Sequence, residues 1–204
     1  NNVIVVSLNY RLGVYGFMVS DELANEDPAF RSSGNYGLLD QIAAIKWVKE
    51  NISAFGGDPN NITLFGFSAG SFSVCYHMIM PNSRGLFKRA ILQSGSCVMP
   101  LFENPDENPN QLLMKLSYSA LKSSYSKFMH IAGCSDIACM RNISQDKLNT
   151  LIVANKPSGQ AVVDGLTIPD DPVMLFAKGK FAKVDIISGT NKDEGSLFAL
   201  QYSQ

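Results

Sequence analysis

The sequence predicts an α/β protein with a mainly parallel central sheet, on three observations. Short apolar runs without alternation occur at Val3-Ile4-Val5-Val6, Ile62-Thr63-Leu64-Phe65 and Ala90-Ile91-Leu92, the composition of strands covered on both faces. Between them lie stretches whose apolar residues recur at helical spacing. Gly- and Pro-bearing breaks separate the two kinds of segment at the intervals of repeated strand–helix units.

In chain order, Val3 to Leu8 reads as a first buried strand, followed by a long loop containing Gly13, Gly16, Pro28, Gly34 and Gly37. Leu38, Leu39, Ile42, Ile45, Val48 and Ile52 then mark one face of an amphipathic helix, which Gly56-Gly57-Asp58-Pro59 ends. Ile62 to Phe65 is a second strand, Phe72 to Met80 a helix stopped by Pro81, and Ala90 to Gln93 a third strand. From about 104 to 155 the character changes. A polar segment over 103–110 leads to a helix from about 111 to 132, a cysteine loop and another short helix, which together read as a helical insertion packed over the sheet. Asp164-Gly165 is a turn, Pro169 to Ala177 a short helix, and Val184 to Ser188 a returning core strand. The expected organisation is one domain spanning 1–204.

Seventeen basic and 18 acidic residues leave a net charge of −1, so the basic excess of a nucleic-acid binder is missing. The 46% hydrophobic and 17% charged composition is that of a folded domain rather than a disordered tail. The apolar runs stop at four or five residues, far short of the ~20 that span a bilayer. The chain begins with Asn within three residues of an apolar strand and stops at Tyr202-Ser203-Gln204 without a closing element. The expectation is an internal fragment of a longer chain.

Gly66-Phe67-Ser68-Ala69-Gly70 matches G-x-S-x-G between a strand and a helix. A serine there sits on a strained turn, and side chains at the flanking glycines are expected to collide with the neighbouring strand and helix. The strain projects the hydroxyl from the edge of the sheet. The helix behind it aims the N–H of Ala69 at a developing oxyanion, favoured by the helix dipole. The pentapeptide alone is common; its placement between a strand and an amphipathic run gives it weight.

Further motifs extend this. Asn9-Tyr10-Arg11-Leu12-Gly13, Gly34 to Gln41, Phe55-Gly56-Gly57-Asp58-Pro59, Gly66 to Gly70, Phe87 to Ser96 and Asn191-Lys192-Asp193-Glu194-Gly195 together resemble type-B carboxylesterases, the group that includes cholinesterases and fungal lipases. The resemblance covers nearly the whole chain. It implies an α/β-hydrolase fold, with helices on both faces of the sheet, and ester hydrolysis by a serine, an acid and a histidine. No cofactor or metal is implied, and zinc ligation has no paired Cys-x-x-Cys to rest on.

In such hydrolases the chain order is Ser, then Asp or Glu, then His. By residue type alone, Asp193 and Glu194 compete as the acid; the resemblance selects Glu194. His77 lies nine positions after Ser68 on the same helix, roughly 13 Å along its axis and beyond hydrogen-bond reach. His130 precedes Glu194 and matches no family motif, so both histidines read as surface or core-edge side chains. No histidine follows Glu194. Either the base lies on chain absent here or the intact protein has lost it, and the family's glycine-rich oxyanion segment precedes residue 1. The 204 residues alone are therefore expected neither to hydrolyse a simple aryl ester nor to hold an acyl adduct.

The resemblance also assigns supporting residues. Ser94 corresponds to a hydroxyl beside the triad acid, and Arg11 with Asp40 to a buried ion pair whose breaking would cost about 3 to 5 kcal/mol. Phe67 stands where many members carry Glu, which argues against a cation-seeking site. Leu101 stands near an acyl-pocket tryptophan of cholinesterases, pointing to a roomier pocket for an uncharged or apolar ester. Cys134 and Cys139 fall where the family has a disulfide; Cys75 and Cys97 have no family partners and read as buried free thiols. Asn51, Asn61 and Asn142 open glycosylation sequons, which with the cysteine loop indicate a secreted or surface protein. The alternative class is a catalytically silent, esterase-like adhesion or structural protein. Retention of Ser68 and Glu194 favours the enzyme. The oligomeric state is not encoded in any of these features.

Overall fold

The computed structural model describes residues 2–98, 117–196 and 199; Leu101 and the start of the expected insertion lie outside them. The chain divides into two compact units, Asn1–Ile45 with Pro100–Asp171, and Lys46–Met99 with Pro172–Gln204.

The second unit holds the sheet. Strands β1 (Thr63–Phe67), β2 (Arg89–Gln93) and β3 (Asp185–Gly189) pair in parallel in the order β1-β2-β3. The register aligns Phe65 with Ile91 and Ile187, and Phe67 with Gln93 and Gly189. All three strands therefore end level, and the residues that follow, Ser68, Ser94 and Thr190, leave the sheet along one carboxyl edge. Helix α4 (Ala69–Ile79) packs on β1 and β2 and buries Val74, Met78 and Ile79, and the N–H of Ala182 donates to the carbonyl of Met78 at 2.7 Å.

The first unit is helical. It contains α1 (Gly13–Phe17), α2 (Asp21–Glu26), α5 (Tyr118–Ile131), α6 (Ile137–Asn142) and α7 (Gln145–Asn155). Helix α3 (Tyr36–Asn51) is divided between the units, and α8 (Pro172–Ala177) belongs to the second. Local chemistry fixes the starts of four of these helices. Ser20, Ser117, Asp136 and Ser144 each accept, through the side chain, the N–H of the residue three positions on, which satisfies a donor the helix itself cannot. Val14, Met18, Val19, Leu121, Tyr125, Phe128, Met140 and Leu148 share one buried cluster. Asn35 closes a buried pair of hydrogen bonds with Val162, donating to its carbonyl at 2.9 Å and accepting its N–H at 3.0 Å.

The strand and helix assignments over residues 62–93 and the helix at 172–177 match their expectations to within a few residues, as does the end of the first insertion helix, whose expected start lies outside the described residues. The expected cysteine loop carries a helix of its own, α6, and α7 follows it. Four further features differ. Val3 to Leu8 form no strand, and Val3 and Val5 are 74% and 71% exposed; a strand exists only through hydrogen bonds from a neighbour, and among the described residues nothing pairs with this run. β3 is a strand, but all five of its residues are exposed: helix α4 packs on β1 and β2, and no comparable helix covers β3 among the described residues. The segment expected as loop after Gly13 contains α1 and α2, whose five and six residues are too few for periodicity to register. Cys75 and Cys97 are not free thiols: they form a disulfide, as do Cys134 and Cys139.

Candidate active site

Ser68 sits between β1 and α4 at φ 52°, ψ −118°, a backbone conformation that L-residues avoid and that stores of order 1–3 kcal/mol. The surroundings hold it there. Its N–H donates to the Gln93 carbonyl at 2.9 Å and its carbonyl accepts from Phe72 N–H at 3.1 Å. A Cβ on Gly66 would lie 2.3 Å from the Gly70 backbone, so only glycine fits at the start of the turn. Gly70 differs from expectation: a Cβ there meets nothing within 4 Å, so the close approach of strand and helix constrains Gly66 and not Gly70. Although Ser68 is the N-cap residue of α4, its hydroxyl makes no capping bond, and the residue is exposed. The Oγ is thus left for a ligand.

Ala69 is exposed and is the first residue of α4, so its N–H belongs to the helix turn that lacks intrahelical acceptors and carries the positive end of the dipole. Phe67, 64% exposed, presents an aromatic ring beside it rather than a charge.

At the far edge of the sheet Glu194 lies in the turn after β3. Its Oε1 accepts the N–H of Asn191 at 2.7 Å. Hydrogen bonding from Ser94, then from the Asn191 backbone, holds the carboxyl below the usual carboxylate range. Asn191 Nδ2 donates to Ser94 Oγ at 3.3 Å, so Ser94, Asn191 and Glu194 form one hydrogen-bonded group. Ser94 is itself at φ 54°, tied to β3 by its N–H to the Gly189 carbonyl at 2.9 Å. Ser68 follows β1 and Glu194 follows β3, two strand spacings apart, about 10 Å. A group of imidazole size is what would join them.

Neither histidine occupies that gap. His77 is 3% exposed on α4, its Nδ1 is 2.8 Å from Ser83 Oγ, and burial pushes its pKa down to about 4. It is a core side chain rather than an edge one. His130 is exposed in the last turn of α5.

The other expected positions divide. Arg11 and Asp40 do pair, with Nη2 to Oδ1 at 2.7 Å and Nε to Oδ2 at 2.8 Å. The pair is not buried: the side chains are 53% and 26% exposed, because Arg11 lies along the surface with its guanidinium over the Tyr36 ring. Asn61 and Asn142 are exposed, Asn51 half-buried in the last turn of α3. In the helical unit a cavity of about 750 Å³ is lined by Val14, Met18 and Met140, with Arg11, Glu26 and Arg141 also on its wall; it contains none of the candidate catalytic residues. Glu26 and Arg141 form a two-point ion pair there, at 2.5 and 2.8 Å.

A serine held in a strained turn between a parallel strand and a buried helix, with a carboxylate two strands away on the same edge, is the arrangement of a nucleophile-elbow hydrolase. Comparison with known proteins gives the family to which a chain with this turn belongs. The family model of the carboxylesterase family matches residues 1–204, and the chain belongs to that family. It is 38% identical over 208 residues to Cholinesterase 1 of Branchiostoma lanceolatum, covering 97% of this chain and 55% of that protein. Para-nitrobenzyl esterase of Bacillus subtilis (strain 168) is 36% identical over 207 residues, 96% of this chain and 38% of the relative. Mouse Neuroligin-2 is 38% identical over 200 residues, 97% and 22%. Among solved structures, the Geobacillus stearothermophilus carboxylesterase EST55 at pH 6.2 superposes with a TM-score of 0.78 at 36% identity, over 95% of this chain and 38% of that one. The fold is that of the α/β-hydrolase carboxylesterases, and the chain spans about half or less of the length of these relatives.

Proposed function

We propose that the intact protein is a serine carboxylic-ester hydrolase and that residues 1–204 form the central part of its single catalytic domain, with the helical insertion at about 104–155. The observation that carries this is the strained Ser68 turn with its uncommitted hydroxyl. Ser68 Oγ attacks the ester carbonyl carbon while its proton passes to a histidine supplied by chain beyond these residues. The tetrahedral oxyanion is steadied by Ala69 N–H. Collapse expels the alcohol, which takes the proton from the imidazolium, and leaves an acyl–Ser68 ester; water then repeats the sequence and releases the acid. Glu194 orients the histidine and stabilises its charged form, and its hydrogen bonds to Asn191 and Ser94 keep it ionised. Phe67, apolar beside the nucleophile, suits an uncharged or apolar acyl or alcohol group; the family resemblance adds Leu101, which lies outside the described residues, as a small acyl-pocket side chain.

The two disulfides support a protein of the secretory pathway, glycosylated at Asn51, Asn61 and Asn142. Intact-mass measurement before and after deglycosylation tests this, and an unmodified, fully reduced protein from its native source contradicts it.

The activity is tested by hydrolysis of p-nitrophenyl esters of increasing acyl length by the intact protein. Ser68→Ala is expected to remove turnover, and Glu194→Gln to lower kcat by about 10³-fold or more. A folded intact protein with no Ser68-dependent turnover would point instead to the silent adhesion or structural reading.

A further inference from the structure

We propose that the Cys75–Cys97 disulfide is a positioning element for the candidate acid: it clamps residues 94–97 onto the nucleophile helix and so holds Ser94 against Asn191 and Glu194. The inference rests on the esterase reading above for its catalytic consequence, and on the contacts alone for the clamp.

The two ends of the bridge are unequal. Cys75 lies two turns after Ser68 in the buried half of α4, 2% exposed, between the buried Val74 and Tyr76. That helix is already fixed by its packing on β1 and β2. Residues 94–98 after β2 are neither helix nor strand, and they begin at Ser94 with φ 54°. A non-glycine residue in that region relaxes to negative φ unless its neighbours forbid it. Three contacts forbid it. Ser71 Oγ, on a fully buried residue, donates to the Gly95 carbonyl at 2.6 Å. Gly95 fits so closely against the Ser68 carbonyl that a Cβ would approach it to 2.8 Å. The disulfide then covalently secures the far end, with Cα atoms 5.4 Å apart. What the bridge adds is restraint on the segment, not on the helix.

That segment joins the two halves of the site. Ser94 N–H holds Gly189 at the end of β3, and Ser94 Oγ accepts from Asn191, whose own N–H binds Glu194. With the clamp released, only the Ser71 hydrogen bond and the Gly95 packing restrain the segment, and Ser94 leaves its left-handed conformation more often. Glu194 then loses its hydroxyl partner while Ser68, Ala69 and the α4 dipole stay in place. The bridge thus acts on the acid and leaves substrate binding alone.

The test uses the intact protein and the Cys75→Ala/Cys97→Ala pair. The expected result is a fall in kcat of about tenfold with KM within about twofold, the signature of an interaction made in the transition state. Ser94→Ala should cost about tenfold with the bridge present and under about twofold without it, because both changes remove one interaction. Cys134→Ala/Cys139→Ala, in the other unit, should change neither constant. An unchanged kcat in the bridge-free protein, or multiplicative effects of Ser94→Ala and bridge removal, overturns the proposal. If the alanine pair does not fold, Cys75→Val with Cys97→Ala refills the buried position. Amide exchange read in parallel should quicken at 94–97 and 191–194 but not in β1; equal rates there overturn the clamp. Absence of Ser68-dependent turnover in the unaltered protein sinks the esterase reading, and the exchange result alone then decides the clamp.

Discussion

The two units of the chain solve different problems. In the helical unit, α1, α2, α5, α6 and α7 converge on one buried cluster that includes Tyr125 and Phe128, and the starts of α2, α5, α6 and α7 are capped by their own serines and aspartate. Its ion pairs, such as Arg11–Asp40 and Lys122–Asp21, lie at the surface. In the sheet unit the apolar packing is concentrated on α4, while β3 is exposed throughout and two serines hold positive φ; the helical unit's one described non-glycine residue at positive φ is Lys156, where it ends α7. Strain and exposure gather where Ser68, Ser94 and Glu194 stand. The difference teaches that local consistency builds the scaffold and that departures from it mark the chemistry.

The comparison can be broken at its firmest point. Phe128→Ala in the helical cluster, at 3% exposure, is expected to cost about 3–5 kcal/mol, read by urea unfolding, while the fluorophosphonate reactivity of the molecules that remain folded stays unchanged. A smaller loss, below about 1 kcal/mol, would mean that this cluster is not the packed core described.

Next in size is the pH response of the sheet unit. His77 has a folded-state pKa of about 4 against an ordinary 6.5. Above pH 6.5 it is neutral folded or unfolded and contributes no pH dependence. As pH falls below 6.5 the unfolded chain takes up a proton that the folded one refuses until about pH 4. Stability is therefore lost across that window, by about 3 kcal/mol. The difference between unaltered protein and His77→Gln, measured by denaturant unfolding at pH 7 and pH 4.5, isolates this contribution; parallel pH profiles would contradict it.

The smallest effect sharpens the contrast at the surface. Because Arg11 and Asp40 are part-exposed, their coupling in a double-mutant cycle should be about 0.5–1 kcal/mol and should weaken in salt. The family resemblance alone suggested a buried pair and a cost several times larger. A coupling of that larger size would show that the pair is shielded in the intact protein.

Legibility followed the range of the forces. Ser68 could be found because Gly66 is required by a collision with the backbone of Gly70 and Ser71, four and five residues on, and such local constraints are written in nearby letters. The helix caps at Ser117, Asp136 and Ser144 are equally local, yet a reading led by apolar spacing does not single them out. The Cys75–Cys97 bridge was not, since nothing local announces a pairing 22 residues apart in sequence. The runs Val3 to Leu8 and Val184 to Ser188 show the opposite error. Their Val and Ile content encodes a preference for burial, but which surface covers a strand depends on distant chain. Glu194 became distinguishable from Asp193 only through family pattern, and its contact with Asn191 and Ser94 arises from the shared carboxyl edge of β2 and β3, a property of register rather than of sequence.

Ser94 gives the central claim its most direct test, because it too is a serine at positive φ following a parallel strand. The intact protein should be treated with a fluorophosphonate and digested, and the modified peptide located by mass spectrometry. The account predicts a single adduct on Ser68, absent from Ser68→Ala and present at full yield in Ser94→Ala when labelling is run to completion. An adduct on Ser94, or none on a folded intact protein, would contradict it.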